Sequence, residues 1–260
     1  MRAVGGTSRH WGKALLRALT AGFGLAGDLI YPPTCLGCGA LAQSTGGFCA
    51  SCWRGLSLIE KPYCPILGTP FSHDMGATIV SAAAIADPPR FDRARAAVLY
   101  DGKARNLVHG LKYKDRTELA RTMAGWMLRA SDGHVEASDF LLAVPLHRWR
   151  LMHRKFNQSA ELARALAALS GRRFLAGGLV RTRATRQQVG LGATQRQENV
   201  RGAFALTDAA KAAIFGHRVV LVDDVYTTGA TVNAVAGVLK RAGVADVTVL
   251  TFARVHGEHI

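Results

Sequence analysis

Acidic residues are scarce in this 260-residue chain: 18 Asp and Glu stand against 33 Lys and Arg, a formal net charge of +15. That balance points to anionic partners, either nucleic acid or small phosphorylated molecules, without choosing between them. Cysteine is scarce too. Five residues are too few for a disulfide scaffold of this size. No long apolar run is present. The most apolar N-terminal stretch, Leu15 to Ile30, is broken by Arg17 and Asp28 and dotted with glycines, short of the ~20 apolar residues a membrane span needs. Arg2, Arg9, Lys13 and Arg17 give this region the basic start of a signal peptide, but Asp28 spoils the apolar core and no small-residue cleavage site follows. The expectation is a cytoplasmic protein with no membrane span. A GxxxxGK[ST] sequence is missing as well, which excludes a P-loop nucleotide hydrolase.

With 49% apolar and 20% charged residues, the chain has the material for a folded core and is neither disordered, collagen-like nor a coiled coil. Its texture changes twice. Residues 1–31 are basic and apolar and read as an amphipathic helical extension ending at Pro32-Pro33. Residues 32–90 are rich in Cys, Gly and Pro and read as a small loop-rich module, closed by Pro88-Pro89. Residues 91–260 alternate between β-type and helical patterns. Strand-like runs at 93–101, 140–146, 218–224 and 246–255 are separated by helical patterns at 117–131, 159–171 and 230–243. That alternation predicts βαβ units, an α/β fold with a mainly parallel sheet flanked by helices.

Four of the cysteines fall into two pairs, Cys35-Leu-Gly-Cys38 and Cys49-Ala-Ser-Cys52, ten residues apart. A CxxC turn converges two thiolates on one ion, and a second turn completes a tetrahedral sulfur shell for which Zn²⁺ is the usual occupant. A site with four protein ligands is structural. Metal binding would supply the stability that a module poor in apolar residues lacks. Cys64 stands apart, followed by Pro65-Ile66-Leu67-Gly68, a knuckle-like turn in which Leu67 occupies the place of a second cysteine. It reads as a buried, unliganded thiol, and one zinc site is expected.

The segment 218–232, RVVLVDDVYTTGATV, carries the most chemistry. Val219 to Val222 fit a buried central strand, and Asp223 and Asp224 stand at its C-terminal end, where open α/β sheets place their ligands. Thr227, Thr228, Gly229, Ala230 and Thr231 then open a helix. Gly229 lets the backbone approach an anion, and threonine hydroxyls with the free amides of a helix N-terminus can cradle a phosphate. Two acids beside that cradle suit a sugar phosphate, the carboxylates accepting from ribose hydroxyls. A strand-to-helix cap with solvated acids is the plainer alternative.

VVLVDDVYTTGAT resembles the PRPP-binding motif of the type I phosphoribosyltransferases. Together with the cysteine module, the chain resembles the ComF family of competence-associated proteins that join a zinc ribbon to a phosphoribosyltransferase domain. The stretches 100–120, 144–163 and 181–204 are family-like too. The resemblance implies a type I phosphoribosyltransferase-like sheet behind a small zinc-ribbon module, PRPP or a related sugar phosphate as ligand, and Mg²⁺ bound with it. It also implies a role in DNA uptake, with single-stranded DNA and a competence helicase-like protein as partners. Between Pro145 and Arg201 there are 12 Lys and Arg against Glu161 and Glu198. By resemblance, His147, Arg148, Arg154 and Lys155 belong to the loop that meets diphosphate. Arg183 and Arg196, with Thr185, Gln188 and Asn199, belong to the loop that closes over the site, the two arginines joining Asp223 and Asp224 as catalytic candidates. Lys112 is a further substrate-binding candidate, balanced against an ordinary surface lysine. Three activities stay open: a phosphoribosyltransferase, a non-catalytic nucleotide or single-stranded DNA binding module acting with a competence partner, and a PRPP-sensing hybrid.

Overall fold

The computed structural model describes residues 32–44, 46–74, 76, 79–113, 118–146, 156–183 and 193–255, the side chains at 113, 193, 194, 196 and 197 excepted. The extension expected over 1–31 lies outside the described residues. In chain order the elements are α1 (Ala50–Arg54), α2 (Ala82–Ala86), β1 (Arg93–Leu99), α3 (Gly102–Tyr113), α4 (Glu118–Ala130), β2 (Phe140–Ala143), α5 (Gln158–Ser170), β3 (Arg173–Phe174), β4 (Leu179–Arg181), α6 (Ala193–Val200), β5 (Phe204–Leu206), α7 (Asp208–Ile214), β6 (Arg218–Tyr226), α8 (Ala230–Arg241) and β7 (Asp246–Arg254). They divide between Trp53 and Arg54 into two compact units.

The first unit is held by little apolar packing. Among its described residues only Cys35, Leu36 and Cys52 are buried, so its fold depends on turns and on the sulfur cluster. A tight turn brings the N–H of Cys35 to the carbonyl of Ala40 (2.6 Å) and the N–H of Gly39 to the carbonyl of Cys35 (2.9 Å), with Thr34 bridged to Leu41.

In the second unit five strands form an all-parallel sheet in the order β1-β7-β6-β2-β3. β6 and β7 sit near its middle, which is why Val219–Val222 and 247–253 read as almost unbroken apolar runs: both faces are covered. On one face Leu142, Val219 and Leu221 pack against Val235 and Leu239 of α8 and against Ala210 and Ile214 of α7. A separate antiparallel pair, β4 with β5, registers Leu179 with Leu206 and Arg181 with Phe204. The four predicted strands and three predicted helices are present.

Two features go beyond the sequence expectation. α3 was not among the predicted helices, although Ala104, Leu107, Val108 and Leu111, spaced as one helical stripe, are all buried. Gly102, Gly110 and a polar opposite face dilute that signal. The segment from Ser57 to Pro70, grouped with the cysteine module by composition, is hydrogen-bonded along β1. Ile59 N–H donates to Ala97 (3.0 Å), Leu99 N–H to Ser57 (2.8 Å) and Ala94 N–H to Ile66 (2.6 Å). It covers what would otherwise be the open edge of the sheet, a non-local role that composition does not encode.

Candidate functional site

The sulfur atoms of Cys35, Cys38, Cys49 and Cys52 all lie within 4.8 Å of one another, Cys38 and Cys49 at 3.7 Å. Zn–S bonds of ~2.3 Å in tetrahedral geometry set sulfurs roughly 3.8 Å apart, so the four converge as a structural zinc site requires. Gly37 makes the closure possible: a β-carbon there would sit 2.8 Å from the Cys52 sulfur. The Cys35 sulfur accepts from the N–H groups of Cys49 (3.2 Å) and Gly37 (3.3 Å). Burial opposes its ionisation, but those amides and that of Cys38 outweigh burial and bring its pKa down to about 6. Cys52 is pushed up to about 12 by burial and by hydrogen bonds with the other three sulfurs. Zinc binding would displace the protons that the thiols still carry.

The turn at Cys64 repeats the backbone of the turn at Cys35. Cys64 N–H donates to Thr69 (2.8 Å), Gly68 N–H donates to Cys64 (2.8 Å), and Tyr63 bridges Pro70. The knuckle is there without its second sulfur. Cys64 is fully buried, and its sulfur accepts from the N–H and hydroxyl of Ser81 (both 3.3 Å) and from Leu67 N–H (3.4 Å). Burial alone would raise its pKa; the Ser81, Leu67 and Ile66 donors bring it below the ordinary thiol value. Arg95 donates to the Pro65 carbonyl (2.9 Å) and Arg254 to that of Leu67. These bonds hold the turn without an ion. Among the described residues the four-cysteine group is the one cluster that could take a metal, and Cys64 stands outside it.

At the other chemical centre, the β2–β6 ladder ends at Ala143 and Val222. Asp223 and Asp224 stand just beyond it, towards the C-terminal end of β6, which runs on to Tyr226 paired with β7. α5 returns to the same edge: its cap, Asn157, accepts from Ser159 N–H (3.1 Å) and donates to the carbonyl of Val144 (3.0 Å). Ser159 in turn donates its hydroxyl to Asp223 Oδ1 (2.8 Å), which also accepts from Asp224 N–H (2.9 Å). From the last turn of α3, Lys112 Nζ reaches Asp224 Oδ2 at 2.7 Å, the two side chains 20% and 14% exposed. Burial would lower the Lys112 pKa, but the Asp224 carboxylate outweighs it and the value is raised. Asp223 is pushed up to about 7 by burial and then by the charge of Asp224, against the bonds from Ser159 and Asp224 N–H. The pair thus divides its roles: one carboxylate neutralised by a lysine, the other poised near neutrality.

This gives a signed pH dependence. A carboxyl whose pKa rises on folding favours the folded state while protonated, and that contribution is lost as pH climbs from about 4 towards about 7. Asp223→Asn is expected to flatten thermal stability across that window and to exceed wild type at pH 8, at about 2–4 °C per kcal/mol for a domain of this size. Melting curves at pH 5 and pH 8 check it; parallel curves for both proteins would show that Asp223 is already ionised at low pH.

After β6, Thr227 and Thr228 are exposed, and Gly229 (φ 75°) turns the chain into α8, with Ala230 buried and Thr231 half-buried behind it. A β-carbon on Gly229 would collide with the Tyr226 hydroxyl and ring. Tyr226 is itself fixed edge-on to Phe91 (6.4 Å between centroids) and beneath the Arg254 guanidinium (4.9 Å). The first turn of α8 thus follows within a few residues of the strand that carries the two aspartates.

The structure therefore brings Lys112, Asp223, Asp224 and the turn 227–231 to one edge of the sheet. His147, Arg148, Arg154 and Lys155 lie outside the described residues, as do Thr185 and Gln188. Val144 and Asn157, which flank the first basic run, are both at that edge. Arg183 is exposed, and its Nη2 donates to the carbonyls of Arg201 (2.9 Å) and Asn199 (3.4 Å) at the end of α6; it is engaged there and not at the carboxylates. Arg196 belongs to α6, its side chain outside the described residues. Asn157, Ser159 and Tyr226 were missed. An Asn-Gln-Ser start ahead of an apolar helical stripe is a capping signal that marks Asn157, but nothing local ties Ser159 to Asp223, 64 residues away.

Among the described residues no helix is long and apolar enough to cross a membrane. Residues 26–83 match the double zinc ribbon domain and residues 160–259 the phosphoribosyl transferase domain. The chain is 32% identical over 220 residues to the DNA utilization protein YhgH of Escherichia coli O6:H1, spanning 82% of this chain and 93% of that protein. It is 27% identical over 226 residues to Competence protein F of Haemophilus influenzae, spanning 85% and 96%. Among solved structures, the allosteric regulatory enzyme of purine biosynthesis is similar at 21% identity and a TM-score of 0.37, over 55% of this chain and 30% of that one.

Proposed function

The chain belongs to the ComF family, the family of YhgH and Competence protein F, and from that premise we propose that it binds PRPP or a closely related phosphoribosyl compound at the C-terminal edge of its parallel sheet and acts as a phosphoribosyltransferase in the cytoplasm. The observation that carries this reading is the tip of β6: two adjacent carboxylates, one ion-paired and one near neutrality, run into a left-handed glycine that opens a helix N-terminus. Each part has a chemical counterpart. The hydroxyls of Thr227, Thr228 and Thr231 and the first amides of α8, from Ala230 on, take the 5′-phosphate, with Gly229 allowing close approach. Asp223 and Asp224 accept from the ribose hydroxyls. Lys112 pairs with Asp224, and Ser159 orients Asp223.

His147, Arg148, Arg154 and Lys155 are assigned to the diphosphate. Arg183 and Arg196 close over it, which requires Arg183 to exchange two backbone carbonyls for ligand oxygens. The reaction breaks the bond from C1′ to the diphosphate oxygen while an acceptor forms a bond to C1′; the diphosphate leaves with the electron pair. Catalysis of that displacement is mostly positioning and cationic clamping in a site from which water is excluded. The hard oxygen donors of Asp223 and Asp224 suit Mg²⁺, which would be held chiefly by ligand oxygens and would supply neutralisation of the leaving group.

Calorimetric titration of PRPP with Mg²⁺ is expected to give saturable binding by the wild type. Asp224→Ala should weaken it by about 10–100-fold, the loss of one or two charge-assisted hydrogen bonds. No binding by the wild type removes the proposal. The basic stretch between Pro145 and Arg201 and the names of the relatives favour a second reading, a non-catalytic module for a nucleotide or single-stranded DNA that acts with a competence partner. Screening nucleobases for diphosphate release separates the two: binding without release from any base supports the second.

A further inference from the structure

Three neighbouring strands begin at the edge of the sheet opposite the aspartate pair, and their first residues, Arg93, Asp246 and Arg218, border a cleft of about 520 Å³ that His134, Ser138 and Thr248 also line. The carboxylates along this edge already have partners. Both oxygens of Asp246 accept from Arg93 Nη1 (2.6 and 2.8 Å), which also reaches Thr248 Oγ1 (3.1 Å). Asp139 accepts from the backbone N–H of Arg218 (2.9 Å) and faces His217 Nδ1 (3.2 Å). Asp92 takes Val247 N–H (2.7 Å) and Lys240 Nζ (2.6 Å).

What remains is cationic. Among the described residues the exposed Arg218 guanidinium is held in no side-chain ion pair, its charge being felt by Asp139, whose pKa it helps to lower. Arg93 is pinned through one nitrogen, so its Nε and Nη2 have no partner there. The imidazole of His134 has none either. We propose that this cleft is a binding site for a phosphomonoester dianion, held between the guanidinium groups of Arg93 and Arg218 with the His134 ring as a third donor. Asp246 and Thr248 orient Arg93 for bidentate contact, the geometry in which guanidinium recognises phosphate. Burial first, then the charges of Arg93 and Arg95, hold the His134 pKa below its ordinary value against Asp132 and Asp246, so at neutral pH the ring is uncharged and keeps one N–H to donate. The cleft is larger than a phosphate group fills and falls within the usual range for small ligands. The dianion therefore arrives with an ester moiety, as a mononucleotide or as the 5′-phosphorylated end of a nucleic acid strand. The site shares no residue with the aspartate pair or with the turn 227–231.

The His134 ring resonances in the full chain report on this cleft alone. Thymidine 5′-monophosphate is expected to shift them saturably. Arg218→Glu, an exposed position whose folding circular dichroism verifies, should abolish the shift, and Arg218→Ala should weaken binding about tenfold, one charge-assisted contact. Gly229→Ala should leave the shift in place, which separates this site from the phosphoribosyl reading. A short oligothymidylate with a 5′-phosphate and its 5′-hydroxyl counterpart identify the source of the group: a response to the phosphorylated strand places the site on nucleic acid ends, and a response to the mononucleotide alone places it on free metabolites. Resonances unmoved by either phosphomonoester, a shift that survives Arg218→Glu, or one lost in Gly229→Ala overturns the proposal.

Discussion

Gly229→Ala is expected to abolish PRPP binding at concentrations that saturate the wild type while leaving the zinc content untouched. Two independent costs meet at this position. Gly229 sits at φ 75°, and a residue with a β-carbon gives up about 1–2 kcal/mol in that region. The added methyl would also meet the Tyr226 hydroxyl and ring, and Tyr226 cannot withdraw because Phe91 and Arg254 hold it on two sides. The turn must therefore open, moving Thr227 and Thr228 and the first amides of α8 away from where a phosphate would sit. Combined losses of about 3 kcal/mol correspond to a fall in affinity of at least roughly a hundredfold. Titration of PRPP into the variant, beside its melting temperature, checks this. Wild-type affinity in a folded Gly229→Ala protein would mean that the turn at the tip of β6 does not touch the ligand.

Cys35→Ser should take the zinc content from one ion per chain to none and unfold residues 32–53, with the sheet of the second unit retained. The reason is the near absence of apolar burial in that module: Cys35, Leu36 and Cys52 are its buried described residues. Structural zinc contributes about 10–16 kcal/mol to small modules of this kind, against which so few side chains offer nothing comparable. Cys35 is also buried in the sulfur cluster, where its sulfur accepts from the N–H groups of Cys49 and Gly37, so its loss removes a ligand and those contacts together. Elemental analysis and amide spectra measure both consequences. Cys64→Ser should leave the zinc content unchanged, because its sulfur is occupied by Ser81 and Leu67 donors; two ions per wild-type chain would show that this knuckle has recruited a metal after all.

The two centres were legible to different depths. The zinc ligands could be read outright, since CxxC spacing is a local constraint and the four sulfurs converge as it requires. The turn at 227–231 was nearly as legible as a structure: an apolar run, two acids and a threonine-glycine turn lie in one continuous segment. Its supports were not. Lys112 comes from a helix hidden by two glycines and a polar face, and Ser159 from a helix start that closes on Asp223 only when α5 folds back along β2. Arg183 shows the converse. Its place in a family-like stretch marks it for the ligand, yet in the folded chain its guanidinium binds the carbonyls of Asn199 and Arg201.

By itself the amino-acid order determined the α/β alternation, the four zinc ligands, the strand tip with its carboxylates, and the excess of positive charge. Each of these is written in spacing, periodicity or composition, which act over a dozen residues or fewer. Tertiary structure alone decided which carboxylate is neutralised and which hovers near pH 7, and that the arginines opening β1 and β6 face a common cleft. Those outcomes depend on burial and on partners brought from 60 to 150 residues away, and a charge acquires its pKa and its use only once folding has fixed what surrounds it.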